Sequence, residues 1–392
     1  MLYAGGYVPA GNRNPFLTLS CNFCSYYHFA SRDIIKLSMT IREQIEQRES
    51  EYLSQYATLS AASGGRARPE PPCPVRTIFQ RDRDRIIHLC RAFRRLAQKT
   101  QVFISPREDH LRTRLSHTLE VAQIARTIAK ALRLNEDLTE AIALAHDVGH
   151  TPFGHAGEAS LDEVYRSYDP QAHFAHHEHS LRVVDVLERD GQGLNLSQET
   201  REGIVAHSKS MKDLQIDLEE ATPPTMEAMV VRVADRIAYI THDLDDCLRT
   251  GFLSAQQVPT VVTKTLGARH SQRVGTMVRD LIEHSLDQPR ISMSSRVLEA
   301  ADALKDFLLE QVYQSPRLRQ ETDKVAGIIR SLFDLYMEDD HAFAEINSAP
   351  PSDPKKRARQ VCDYIAGMTD RFAHSRYLQH FLPATFPSFE KL

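Results

Sequence analysis

A chain of 392 residues can hold one large domain or two ordinary ones. Its 42% hydrophobic and 26% charged residues are those of a soluble globular protein, and no apolar run approaches the roughly 18–20 residues that a membrane helix needs. A net charge of −4 provides no overall basic field to draw the chain to nucleic acid, and six scattered cysteines fit a reducing cytoplasm rather than a disulfide framework.

Residues 1–38 are rich in Gly, Asn, Ser and aromatics without a helical period, and read as a loosely ordered extension. They show no basic segment leading into a clean apolar core, so no signal peptide is read there. Cys21 and Cys24 form a C-x-x-C with no second cysteine pair to complete a zinc site, and the pair reads as incidental. The next unit, 39–76, opens at Met39 with a polar helix over 41–53 and ends in a Gly- and Pro-rich linker over 61–76. Residues 77–253 are almost wholly helical in pattern. The Arg- and Lys-dense stretch at 81–101 reads mostly as a solvated helical face. The remaining unit, 254–392, gives further helices split by Pro289, Pro316 and the Pro-rich stretch at 349–354. With no alternating runs of convincing length and no repeats, the expected class is all-α.

Three helices carry the chemistry. The first, over 114–134, has an apolar stripe in which His117, Val121, Ile124 and Ile128 step by four, three and four, so His117 points into it. Arg114 lies one turn earlier on the same face, within reach of an anion held beside His117. The second, over 136–146, stops at Gly149 and Pro152, which places His146 and Asp147 at a helix end beside a tight turn. The third, over 225–248, puts Val231, Asp235, Ala238 and His242 on one face, with Tyr239 and Asp243 nearby. An aspartate on an apolar face is costly unless it is paired or bound to a cation.

His117, His146, Asp147 and Asp235 together supply two imidazoles and two carboxylates, a set suited to a divalent ion such as Mn, Fe, Co, Ni, Zn or Mg. Such an ion can activate water and polarise a phosphoryl group. In the following HTPFGHAGE turn, a helix starting near Gly154 sets His155 and Glu158 on one face, where a carboxylate orients an imidazole and raises its pKa. A histidine-rich tract, 173–180, precedes an expected amphipathic helix over 181–187. There is no P-loop, no G-x-S-x-G and no dinucleotide fingerprint.

The spacing His117, His146-Asp147, Asp235 resembles the HD superfamily of metal-dependent phosphohydrolases. The strings RDRDRIIHLCRAFRRLAQKTQVF, HLRTRLSHTLEVAQIARTIAKAL, LTEAIALAHDVGHTPFGHAGE, ADRIAYITHDLDD and CDYIAGMTDRFA are similar to the bacterial dGTP triphosphohydrolase family, from about Met39 to Tyr377. That resemblance implies an all-helical HD core with a further C-terminal helical region that completes the fold and its oligomer contacts. It also implies cleavage of a dNTP at the α-phosphorus into deoxynucleoside and triphosphate. By position it makes His117, His146, Asp147 and Asp235 the metal ligands and His155, backed by Glu158, the proton donor to the leaving oxygen. It sets His150 and Arg114 on the phosphates, Tyr239 on the deoxyribose, Asp243 on the 3′-hydroxyl, and Glu178 with His176 at a further active-site position. Homo-oligomers, hexamers among them, and activation by a bound nucleotide are implied as well.

The chain departs from the family pattern in three places. Phe174-Ala175-His176-His177-Glu178-His179 replaces Phe-Glu-His-Asn-Glu-Gln, which leaves either His176 or His177 as the functional imidazole. Arg236 follows the metal aspartate where many members have Glu. Residues 1–38 precede the family's usual start, which makes Met39 an alternative initiator. Two rival readings are another HD phosphohydrolase acting on a nucleotide monophosphate or an alarmone, and a nucleotide-sensing or single-stranded nucleic-acid-binding regulator with little turnover.

Overall fold

The computed structural model describes residues 39–102, 111–207, 214, 218 and 223–383. The expected extension over 1–38, the Cys21–Cys24 pair and Phe103 of the KTQVF string lie outside them. Among the described residues the structure is helical, with two isolated bridges (Arg66 to Ser197 and Thr100 to Thr113) and no strand. None of the helices there is long and apolar enough to cross a membrane.

In chain order the helices are α1 (Ile41–Tyr52), α2 (Ile78–Leu89), α3 (Arg91–Arg95), α4 (Arg114–Ala131), α5 (Glu136–Ala145), α6 (Gly154–Tyr168), α7 (His176–Arg182) and α8 (Gln198–Ala206). They continue as α9 (Met226–Arg249), α10 (Thr260–Thr265), α11 (His270–Ser285), α12 (Ser295–Leu308), α13 (Pro316–Glu338), α14 (Asp340–Phe343), α15 (Pro354–Ala366) and α16 (Asp370–Phe381). The starts are chemically marked. Thr40, Thr77 and Thr113 each close a capping box, and the side chains of Asn135 and Thr225 accept from Leu138 N and Ala228 N.

Helices α4, α5 and α9 pack against one another around a core that includes Val121, Ile128, Ile142, Val230 and Ile237. Their relative height is set at one end by Glu227. Its buried carboxylate accepts from Thr58 N and Thr58 Oγ1 at 2.9 Å each and from Asn135 N at 3.0 Å, tying the start of α9 to the cap of α5. A second apolar cluster joins Leu161 and Tyr165 of α6 to Phe333 of α13 and Val361 of α15.

Two sequence expectations change. The histidine tract does not precede a helix over 181–187: His176 opens α7, and Val183–Leu187 continues it as a π-helical turn. The Arg-rich stretch is less free than a solvated face. Arg81 meets Glu70 at 2.7 Å, Arg83 meets Asp137 at 2.8 Å, and Arg85 donates to Leu194 O at 2.8 Å. Acidic residues of the linker and of α5 lie opposite these arginines, so much of their charge is spent on holding the molecule together.

Candidate metal centre

α5 ends at its C-cap, His146, and there the ring turns inward. Its Nδ1 lies 2.6 Å from Ala143 O. A carbonyl only accepts, so Nδ1 carries the proton and the Nε2 lone pair faces the interior. That Nε2 is buried and has no hydrogen-bond partner among the described residues. It lies 3.5 Å from Asp147 Oδ1 and 4.0 Å from Asp235 Oδ1, while His117 Nε2 lies 3.1 Å from Asp235 Oδ1. Adjacent ligand atoms around one divalent ion, at bond lengths of about 2.0–2.2 Å, stand roughly 3–4 Å apart. The residues fit such an ion: ligand atoms of His117, His146 and Asp235 lie within 4.8 Å of one another, Asp147 adjoins them at His146, the set is N/O-mixed, and a buried lone pair is left over.

Other groups surround these four. Arg114 Nη1 donates to Asp147 Oδ2 at 2.6 Å, and its Nε and Nη2 are buried without a partner among the described residues. Burial opposes the ionisation of Asp147, yet His146 and Arg114 beside it hold its carboxyl well below the usual range. His150 is buried with its ring stacked on His176, centroids 4.3 Å apart, and burial together with Arg114 keeps it neutral far below the usual imidazole range.

The turn that carries these residues is built by close approach. A Cβ on Gly149 would lie 2.1 Å from Ser180 N, so only glycine lets α7 come this near. Ser180 then receives Gly149 N at 2.9 Å and donates to His146 O at 2.7 Å. Phe153 takes a left-handed φ of 62° and its N–H donates to Asp370 Oδ1 at 2.8 Å. The ammonium of Lys99, buried and pushed down to about 7 by that burial, donates to the carbonyls of His150 and Ala366. The KTQ and GMTDR segments, far apart in sequence, thus clasp the turn between them.

At the rim, His155 Nδ1 lies 3.2 Å from Glu158 Oε2, and His176 Nδ1 lies 2.8 Å from Glu158 Oε1. Burial would raise the Glu158 carboxyl, but the His155 and His176 hydrogen bonds outweigh it and hold Glu158 ionised. A cavity of about 550 Å³ opens over the ligand set, bordered by Arg114, His155, His176, Tyr239 and Asp243. On its far side Asp243 accepts from the Tyr313 hydroxyl, and burial pushes the carboxyl up to about 7. Its Oδ1 has no hydrogen-bond partner among the described residues.

The expected residues therefore gather, with one exception. Glu178 points away: it pairs with His173 at 2.8 Å, both side chains are 53% exposed, and Glu178 borders a separate surface pocket. Two residues of a helix point about 200° apart, so His176 and Glu178 cannot both face the cavity once α7 begins at His176. Between the two candidate imidazoles, His176 lines the cavity and His177 does not. Sequence reasoning missed His207, Lys305 and Tyr313, all of which line it. His207 follows α8 as a lone histidine, and Lys305 and Tyr313 come from the C-terminal half with no motif to mark them.

Comparison with known proteins places this geometry. The HD domain model matches residues 114–240, which hold all four ligand-type residues, and the phosphohydrolase-associated domain model matches 291–379. The deoxyguanosinetriphosphate triphosphohydrolase-like protein of Desulfatibacillum aliphaticivorans is 51% identical over 353 residues, covering 88% of this chain and 99% of the relative. The protein of the same description from Caldanaerobacter subterraneus subsp. tengcongensis is 49% identical, covering 90% and 98%. A third, from Bordetella parapertussis, is 42% identical over 371 residues, covering 82% and 94%. With a metal-dependent fold, a fitting ligand set and full-length relatives at half identity, the chain belongs to the deoxyguanosinetriphosphate triphosphohydrolase-like family of HD-domain phosphohydrolases.

Proposed function

We propose that the protein is a dNTP triphosphohydrolase: water attacks the α-phosphorus, the bond from phosphorus to the 5′ oxygen breaks, and deoxynucleoside and intact triphosphate leave. The observation that carries this reading is one cavity lined by His117, Asp147 and Asp235, with His146 Nε2 3.5 Å from Asp147 Oδ1, together with His155, which Glu158 orients, and the Tyr239–Asp243 face. Its volume of about 550 Å³ falls within the range of small-ligand sites.

His117, His146, Asp147 and Asp235 would hold the divalent ion, which when bound supplies a low-pKa water and polarises the phosphoryl oxygen. Arg114, whose Nε and Nη2 have no hydrogen-bond partner among the described residues, and neutral His150 would contact the phosphate oxygens. His155, aligned by Glu158, would give a proton to the departing 5′ oxygen. Tyr239 would pack on the deoxyribose, where a 2′-hydroxyl would crowd it, and Asp243 Oδ1 would accept from the 3′-hydroxyl. A homo-oligomer such as a hexamer, and activation by an effector nucleotide, belong to the same reading.

The test is incubation of pure protein with each dNTP, singly and as a mixture, with Mn or Mg, followed by product analysis. Deoxynucleoside and triphosphate are expected, and a rate that rises only in the mixture would identify an effector nucleotide. Pyrophosphate and monophosphate would contradict the stated bond, and turnover of monophosphates or alarmones alone would contradict the substrate class.

A further inference from the structure

Behind the turn that follows α5 lies a second cavity, of about 500 Å³, which shares no lining residue with the one over the metal ligands. Val148, between Asp147 and Gly149, forms part of its wall, and α3, α7 and α15 supply much of the rest. The volume falls within the range of small-ligand sites, and nothing in the proposed reaction uses it.

Two polar atoms of the lining residues are buried without a hydrogen-bond partner among the described residues, His179 Nε2 and Gln360 Oε1. His179 is only 3% exposed. Its tautomer follows from the other ring nitrogen. Nδ1 lies 3.4 Å from Arg359 Nη2, and a guanidinium only donates, so Nδ1 accepts and Nε2 carries the proton. Burial, with Arg359 and Lys99 nearby, keeps the ring neutral far below the usual imidazole range. His179 therefore holds a buried N–H whose proton no described residue accepts, and buried donors of this kind call for an acceptor.

The charge of the walls indicates which acceptor. Both carboxylates there are engaged. Glu188 accepts from Ala92 N at 2.8 Å, and Asp363 is gripped by Arg182 at 2.8 and 2.6 Å and by Arg359 at 3.0 Å. The cations are less fully matched. Arg95 donates through Nη1 to Gly367 O at 2.6 Å, and the Lys99 ammonium spends two of its three N–H groups on the carbonyls of His150 and Ala366. Neither meets a carboxylate at ion-pair distance among the described residues. Lys99 registers this crowding: after burial, Arg95 is the largest influence pushing it down to about 7.

We propose that this cavity is an oxyanion site for inorganic phosphate or the phosphate of a small phosphoester, held by Arg95, the third N–H of Lys99 and His179 Nε2. Gln360 Oε1 would accept from a protonated phosphate oxygen. The anion would lie against the back of the turn that carries His146 and Asp147, on the side away from the metal ligands. The site goes beyond the triphosphohydrolase reading and does not rest on it.

The test is calorimetric titration of full-length protein in Mg(II), at fixed ionic strength, with inorganic phosphate and separately with a deoxynucleoside monophosphate. Arg95→Met, His179→Leu and Arg114→Met are titrated alongside, with circular dichroism to show that each is folded. Arg114 lines the other cavity, so its variant reports binding there. A saturable phosphate site is expected in the unmodified protein and in Arg114→Met, at least tenfold weaker in Arg95→Met and His179→Leu. Arg95 is exposed, so its variant decides the matter if His179→Leu does not fold. Tighter binding of the monophosphate than of phosphate, with the same loss in Arg95→Met, would support the site with a phosphoester as its source, and the reverse order would support it with free phosphate. Binding that vanishes in Arg114→Met and persists in Arg95→Met would overturn the proposal, as would no saturable binding of either titrant. No turnover is measured, so failure of the triphosphohydrolase reading would leave the result unchanged.

Discussion

His155 stands at the cavity mouth with its side chain 76% exposed, and Glu158 is what gives it a fixed direction. A positioned proton donor contributes about 10²–10⁴-fold to rate. His155→Ala should therefore retain bound metal and lose about that factor in kcat, whereas Asp235→Ala should lose both metal and activity. Full activity in His155→Ala would show that another group protonates the leaving oxygen. Asp243 gives a second residue-level test. Burial raises its carboxyl from 3.8 to about 7, so the folded state holds the proton more tightly than the unfolded chain. The benefit is present at low pH and is lost as the pH rises through about 7. Asp243→Asn keeps an acceptor for Tyr313 and never ionises. Its melting temperature relative to the unmodified protein should rise by a few degrees between pH 5 and pH 8, and a difference that does not change with pH would refute the assignment.

At the scale of elements, the site depends on how closely α7 and the GMTDR segment approach the turn after α5. Gly149→Ala would drive a methyl group to 2.1 Å from Ser180 N, a backbone atom that cannot step aside. A loss of about 3 kcal/mol or more is expected from denaturant unfolding. Lys99→Met would leave the carbonyls of His150 and Ala366 without their donor, at about 1–3 kcal/mol for each buried group. The sequence made the centre legible where periodicity acts. His117 and Asp235 fall in apolar stripes of α4 and α9, and His146-Asp147 sits where a helix must stop. It could not show His207, because one histidine after α8 carries no phase that points to α5. Glu178 went astray because its role was read from the order of residues in a tract, whereas direction is set by the residue at which α7 begins. The KTQVF and DYIAGMTDR strings were visible as family text, but their physical reason, Lys99 and Thr100 meeting Ala366 and Asp370, exists only in three dimensions.

For the whole molecule, the cavity lies where the helices of the HD core meet α12 and α13, so the C-terminal half is a wall of the site. Lys305, Tyr313 and Thr322 all come from that half. A cation bound only by the folded chain stabilises it by mass action, about 2.7 kcal/mol at a free concentration one hundred times Kd. Chelation should lower the melting temperature, and Mn(II) should restore it. Asp235→Ala should show neither response, and an equal response in that variant would place the stabilising ion elsewhere. The most direct measurement of the central claim is one round of dNTP hydrolysis in ¹⁸O-labelled water with mass analysis of both products. Unlabelled deoxynucleoside and triphosphate carrying one ¹⁸O are expected, since water is taken to attack the α-phosphorus. Label in the nucleoside, or pyrophosphate with a deoxynucleoside monophosphate, would contradict it.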